Sequence, residues 1–173
     1  MKVIMIYDQI QAGAGTKDDK MVPLAAKKEA VGPAVMMEPF LKQVDGKVLA
    51  CLYCGNGYYL ENKEEVTRKL VAMVNKLQPD VVMCGPAFNY VDYAGMAAHV
   101  ATEINAKTNV PAFAAMSVEN EATIAEFKDK VMIVKTPKKG GTGLNDALKN
   151  MCTLAKAMSE KQDTSELKET ICF

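Results

Sequence analysis

The stretch Lys47–Pro86, KVLACLYCGNGYYLENKEEVTRKLVAMVNKLQPDVVMCGP, decides the fold. Lys47–Tyr53 is a short apolar run, and Cys54-Gly55-Asn56-Gly57 ends it with turn-forming residues. A helix follows over Asn62–Leu77: Asn62 and Glu65 make a capping signal, and Val66, Leu70, Met73, Val74 and Leu77 fall on one face. Pro79-Asp80 stops that helix, and Val81–Cys84 is a second apolar run closed by Gly85-Pro86. Two buried strands joined by an amphipathic helix form a βαβ unit, with parallel strands and a right-handed crossover.

The same alternation extends outward. Val3–Tyr7, Ala112–Ala115 and Val131–Lys135 have the length and composition of further buried strands. Asp92 is placed to cap a helix carrying Met96, Ala97, Val100, Ala101 and Ile104, and Ser117 to cap a shorter one ending near Phe127. After Gly140-Gly141-Thr142-Gly143, the residues Leu144, Ala147, Leu148, Met151, Leu154, Ala155 and Met158 line one face of a last long helix. Between Asp8 and Gly46 the pattern is less regular. A loop with Gly13 and Gly15 and a charged stretch precede a helix from about Pro33 to Leu41, and the length of this segment marks it as a lid or interface. The expectation is a single doubly wound α/β domain, Rossmann- or flavodoxin-like, over residues 1–159. It should hold about five mainly parallel strands with helices on both faces. A polar tail, 160–173, extended or weakly docked, should follow and end in Ile171-Cys172-Phe173.

Bulk composition narrows the function classes. A chain of 173 residues, 49% hydrophobic, suits one well-filled core. Twenty-one basic residues balance 21 acidic ones, and every basic residue except Arg68 is lysine, so neither a nucleic-acid face nor forked guanidinium recognition is expected. No apolar run is long enough for a membrane span, and Met1-Lys2-Val3-Ile4 leads directly into a strand. Five scattered cysteines, an odd number, suit a reducing compartment, hence a cytoplasmic protein.

In an open α/β sheet, ligands bind beyond the carboxyl ends of the strands. Cys54-Gly55-Asn56-Gly57-Tyr58-Tyr59 follows one strand and Gly85-Pro86-Ala87-Phe88-Asn89-Tyr90 another, each leading into a helix whose amino terminus offers N–H donors to an anion. The same residues also serve simply as tight βα turns, and the pattern leaves both readings open. Cys51-x-x-Cys54 resembles a redox or zinc motif, but a zinc site needs two more ligands and the only histidine, His99, lies in a helix. Cys51 also sits inside a strand, where residues three apart face opposite ways, so a buried structural role is expected for it. Cys54 and Cys84, at strand ends, are the candidate thiols, and they would meet if their strands were neighbours. His99 and Cys152 are read as structural, and Gly13-Ala14-Gly15-Thr16-Lys17 has neither phosphate-loop nor dinucleotide spacing. No metal or cofactor site is expected in the chain.

Several of these segments, taken in order, resemble the selenoprotein B component of the glycine, sarcosine and betaine reductases, a family related to D-proline reductase. The resemblance rests on Cys54-Gly55 with Tyr58-Tyr59 and Glu61-Asn62, then Pro79-Asp80, Gly85-Pro86-Ala87-Phe88-Asn89, Tyr93 and Gly95. Val31-Gly32-Pro33, Val110-Pro111-Ala112, Met116, Glu119-Asn120 and Lys130–Thr136 extend it over nearly the whole chain. The chain departs from the family at Tyr90-Val91-Asp92, where a small residue, glycine and arginine are typical.

The resemblance is to the amino-terminal domain of longer polypeptides whose other half carries the catalytic selenocysteine or cysteine. It implies an oxidoreductase subunit, an amino-acid reductase that cleaves a C–N bond reductively with nucleophilic help from a selenol or thiol. The nucleophile would be on another chain, and the pyruvoyl group and selenocysteine on partner subunits. The substrate-binding residues would be Cys54, Gly55, Asn56, Tyr59, Gly85, Pro86, Phe88, Asn89, Tyr93 and Glu119, facing a small amino-acid-like substrate. Other reductase subunits or a homo-oligomer are the expected partners, with neither nucleic acid nor membrane. The alternatives are a non-catalytic ligand-binding or assembly domain, and a chain whose Cys54 or Cys84 is itself reactive through a depressed pKa.

Overall fold

The computed structural model describes residues 1–173. Six strands form one sheet: β1 (Lys2–Tyr7), β2 (Ala25–Lys27), β3 (Lys47–Tyr53), β4 (Val81–Cys84), β5 (Ala112–Met116) and β6 (Ile133–Lys135), in the order β2-β3-β1-β4-β5-β6. β2 is antiparallel to β3, and every other pair is parallel. The parallel strands, taken in chain order, are arranged 2-1-3-4-5, the flavodoxin-like order. β2 is the strand that the sequence did not announce. Its three residues, Ala-Ala-Lys, show no periodicity, and only pairing with the edge of β3 makes them a strand.

Seven helices cover the sheet: α1 (Pro33–Gln43), α2 (Asn56–Glu61), α3 (Lys63–Leu77), α4 (Val91–Lys107), α5 (Glu121–Phe127), α6 (Leu144–Ser159) and α7 (Ser165–Ile171). α1 packs on α6, while α2, α3 and α5 gather about α4. Right-handed crossovers put these two groups on opposite faces. The core lies between the layers: Val3–Tyr7, β4 and β5 are fully buried, with Met37 and Leu41 from α1 and Leu148, Met151 and Leu154 from α6. Strands closed in on both faces read as unbroken apolar runs for this reason.

Three expected caps are not made. The Asn62 side chain donates instead to Tyr58 O at 3.0 Å, because α2 runs almost directly into α3 and Asn62 joins them. α4 begins at Val91, so Asp92 lies within its first turn, where a negative charge still suits the helix dipole. α5 is capped at Asn120, because Ser117 turns its hydroxyl to Phe88 O (2.9 Å). The residues after Ser159 are also neither extended nor loosely attached. α7 forms, Phe173 N donates to Ile133 O (3.1 Å), and buried Cys172 makes an antiparallel bridge to Val134 at the β6 edge. No helix is long and apolar enough to cross a membrane.

Candidate functional site

β1 lies between β3 and β4, and the chain leaves it toward one face and returns to β4 over the other. The loops after β1 and β4 therefore diverge and open a crevice at the carboxyl end of the sheet. The chain leaving β1 is polar yet enclosed: Asp8 and Gln9 are completely buried, and Gln11 is 5% exposed. Asp8 Oδ1 accepts the Gln11 N–H at 2.8 Å, while Oδ2 has no partner. Burial pushes the Asp8 carboxyl above its ordinary range, against the pull of the backbone N–H groups of Gln11 and Ile10. Gln9 braces the crevice from below, accepting Asn56 N–H (3.1 Å) and donating to Thr16 O (3.3 Å). The buried Gln11 amide group, Nε2, has no partner within the chain.

Beside this loop lies a cleft of about 600 Å³. Gln11, Lys27, Phe88 and Lys139 supply its polar and aromatic walls, and Val35 and Met36 of α1 form an apolar side. Gly32 sets the angle of that side. Its φ is +54°, and an added Cβ would run into the Gln11 carbonyl, so only glycine lets α1 begin against the β1 loop. Lys27 Nζ donates to Ala12 O at 3.0 Å. Across the cleft Lys139 Nζ stands 4.9 Å from the centre of the Phe88 ring, and the Lys139 N–H donates to Asn89 Oδ1 (2.9 Å), tying the loops after β4 and β6 together.

Phe88 is held in a left-handed conformation, φ 50°. Its carbonyl accepts from Ser117 N (2.9 Å), Ser117 Oγ (2.9 Å) and Asn120 Nδ2 (2.6 Å), and this fixes the ring in the cleft wall. Gly85, at φ 131°, allows the β4 loop to approach β5, where a Cβ would meet Ala115 O at 2.6 Å. A second groove, about 640 Å³, runs between α3 and α4 past Lys63, Arg68, His99 and Lys107. It lies on a helical face, has one apolar lining residue, Val71, and receives no strand-end loop. The cleft at the sheet's carboxyl edge is the candidate site on position and chemistry.

Over residues 1–171 the chain matches the family described as Glycine/sarcosine/betaine reductase selenoprotein B (GRDB). The chain belongs to that family. It is 29% identical over 161 residues to "Sarcosine reductase complex component B subunit beta" of Peptoclostridium acidaminophilum, covering 93% of this chain and 36% of that relative. It is 29% identical over 162 residues to "Glycine reductase complex component B subunit gamma" of Carboxydothermus hydrogenoformans, covering 94% of this chain and 37% of the relative. "Betaine reductase complex component B subunit beta" of P. acidaminophilum is 23% identical over 159 residues, with 92% and 35% covered. The chain thus spans little more than a third of the length of these relatives. No solved structure matches it.

In this reductase-family chain the residues expected at the site fall into separate groups. Phe88 lines the cleft and Asn89 braces it, with Gly85 and buried Pro86 shaping the turn behind. Cys54 and Cys84 are not neighbours, because β1 runs between their strands. Cys54 Sγ lies 3.8 Å from Met96 Sδ, and burial first, then the Asp8 carboxyl, pushes its pKa up to about 12. Burial raises Cys84 as well, and all five cysteines are free and buried. A reactive thiol needs the opposite shift, so the expectation of a depressed pKa at either cysteine does not hold.

The backbone donors after β3 are already engaged. Gly55 N–H goes to Val22 O (2.7 Å), Asn56 N–H to Gln9, and Tyr58 N–H to Lys20 O (2.8 Å), leaving no open anion cradle at these N–H groups. Tyr59 is buried on the α4 side, its hydroxyl 2.5 Å from His99 Nδ1. Tyr93 clamps β1 by donating to Ile6 O (2.7 Å), and Glu119 is exposed in the loop after β5. In the departure from the family pattern, Val91 and Asp92 stand exposed beside Tyr59, Gly95 and His99.

Sequence reasoning missed Gln11, Lys27 and Lys139. The run Asp8-Gln9-Ile10-Gln11, polar and directly after the first strand, carried a readable signal, because the rule about strand ends applies to β1 as well. Lys27 and Lys139 are single loop lysines that only the tertiary structure brings to the cleft.

Proposed function

We propose that this chain is the substrate-binding part of a glycine/sarcosine/betaine reductase-like complex, with the cleft at the β1–β4 crevice holding a small substrate. The reductive cleavage of the C–N bond would be completed on partner subunits, which carry the pyruvoyl group and the selenol or thiol. The observation that carries this reading is the family match over residues 1–171, joined to a cleft where an open α/β sheet binds ligands. The thiols support placing the nucleophile elsewhere, since each is buried and its pKa raised. The chain offers no free thiolate for that role, and no step is assigned to the absent groups here.

Surface chemistry supports a partner at the same edge. The exposed large apolar side chains Met21, Val35, Met36, Leu60, Val91 and Val118 lie in or next to the connections that follow the strands, and only Leu77 lies at a helix end remote from them. The partial coverage of the relatives favours a second reading, an assembly or ligand-binding unit without redox chemistry of its own. An affinity pull-down of the tagged chain from its native cell extract under reducing conditions, with mass spectrometry, separates the two. Recovery of a pyruvoyl- or selenocysteine-containing reductase subunit is the expected result. Recovery of the chain alone overturns the complex.

A further inference from the structure

We infer that the cleft beside Gln11 binds an organic acid with an apolar body, its carboxylate taken by Gln11 Nε2 and Lys139 Nζ and its body laid against Met36, Val35 and Phe88. This rests on the reading of the cleft as a binding site and goes beyond it, because the glycine, sarcosine and betaine named for the relatives have little or no apolar body to bury. A buried amide N–H that finds no partner costs about 1–3 kcal/mol, so a side chain kept 95% buried with Nε2 unpaired, in the wall of an open cleft, is satisfied by something that enters it.

The charge around the cleft specifies what enters. Lys27 and Lys139 line it, and no acidic side chain does. Lys27 is partly engaged by Ala12 O, which leaves Lys139 as the freer cation. A cation and one amide donor match the two oxygens of a carboxylate.

A phosphate would ask for more donors than the cleft offers. The amino terminus of α1 opens onto it, yet Pro33 has no N–H, and the N–H groups of Ala34 and Val35 are already bonded to Val31 O and Gly32 O at 3.1 Å each. Size and lining point the same way. At about 600 Å³ the cleft belongs with those that enclose larger organic ligands, and Val35 and Met36 keep 51% and 48% of their surface exposed at its apolar side. Covering that surface is worth about 25 cal/mol per Å².

The test is a titration of the full chain with phenylacetate, acetate and glycine, read by ¹H–¹⁵N chemical shifts, including the Gln11 side-chain amide. Phenylacetate should bind at least about tenfold more tightly than acetate, and glycine more weakly than either, given the scale of apolar burial. Gln11→Leu and Lys139→Ala should each weaken phenylacetate about tenfold, the loss of one charge-assisted hydrogen bond. Met36→Ser, on the exposed side of α1, should weaken phenylacetate while leaving acetate unchanged. The amide spectra of the variants show that the fold is kept. Absence of phenylacetate binding, equal affinity for acetate, or binding unaffected by Gln11→Leu overturns the inference. Such a failure alongside recovery of reductase subunits in the pull-down would remove the ligand and leave the complex. Binding as expected with no subunit recovered would do the reverse.

Discussion

Asp8 shows how much a single residue at a strand end reveals. It is completely buried, one oxygen is unpaired, and burial raises its pKa above the ordinary 3.8. A raised carboxyl favours the protonated form in the folded state. Its contribution is therefore fully present below pH 3.8, where folded and unfolded chains both hold the proton. It is lost as the pH climbs through the unfolded value toward the folded one. Asp8→Asn keeps an oxygen for the Gln11 N–H and carries no charge. Urea unfolding from pH 3 to 7 should show the variant and the parent nearly equal in acid, with the variant gaining steadily toward neutrality. A parent that gains instead would mean that Asp8 is ionised and paired. From sequence, Asp8 and Gln11 passed as the start of a loop, because their burial comes from the Gly32 approach and the long segment that folds over them.

At the scale of elements, the sequence was most readable where periodicity and burial coincide. α3, α4 and α6 stand where their apolar stripes put them, and β4 is the expected four-residue run. Legibility failed at junctions. A capping signal at Asn62 assumes a helix that starts from a loop, whereas α2 delivers the chain already helical. The glycine-rich turn after β3 was expected to present open N–H groups, but residues 20–22 arrive from outside the local pattern and take them. Asn105 marks another long-range joint. On the last turns of α4 its side chain donates to Ala112 O (2.9 Å) and accepts the Ala112 N–H (2.8 Å), fixing where β5 begins. Asn105→Ala leaves both backbone groups of a buried residue unpaired and should cost about 1–3 kcal/mol in chemical denaturation. A change within a few tenths of a kcal/mol would show that water replaces the side chain without penalty.

For the whole molecule, the layers and the strand order follow from the alternation of elements, whereas the cleft depends on the 8–46 segment that the pattern could not resolve. β2 pairs with β3 alone, through three residues that keep some exposure, and β3 is itself inserted between β2 and β1. The segment carrying Lys27 therefore has nothing to pair with until a strand twenty residues further along is in place. In hydrogen exchange the amides of Ala25–Lys27 should open at a small fraction of the free energy that protects β1 and β4, in the sub-global manner of an edge unit. Equal protection of β2 and β1 would contradict this. Because Lys27 lines the cleft, the state with β2 detached is a state with the cleft incomplete. Occupancy and protection are then two sides of one equilibrium: any ligand that selects the closed cleft must slow exchange at β2 in proportion to its concentration over its dissociation constant. An amide three residues from the edge of the sheet thereby becomes a reporter for a ligand it does not touch.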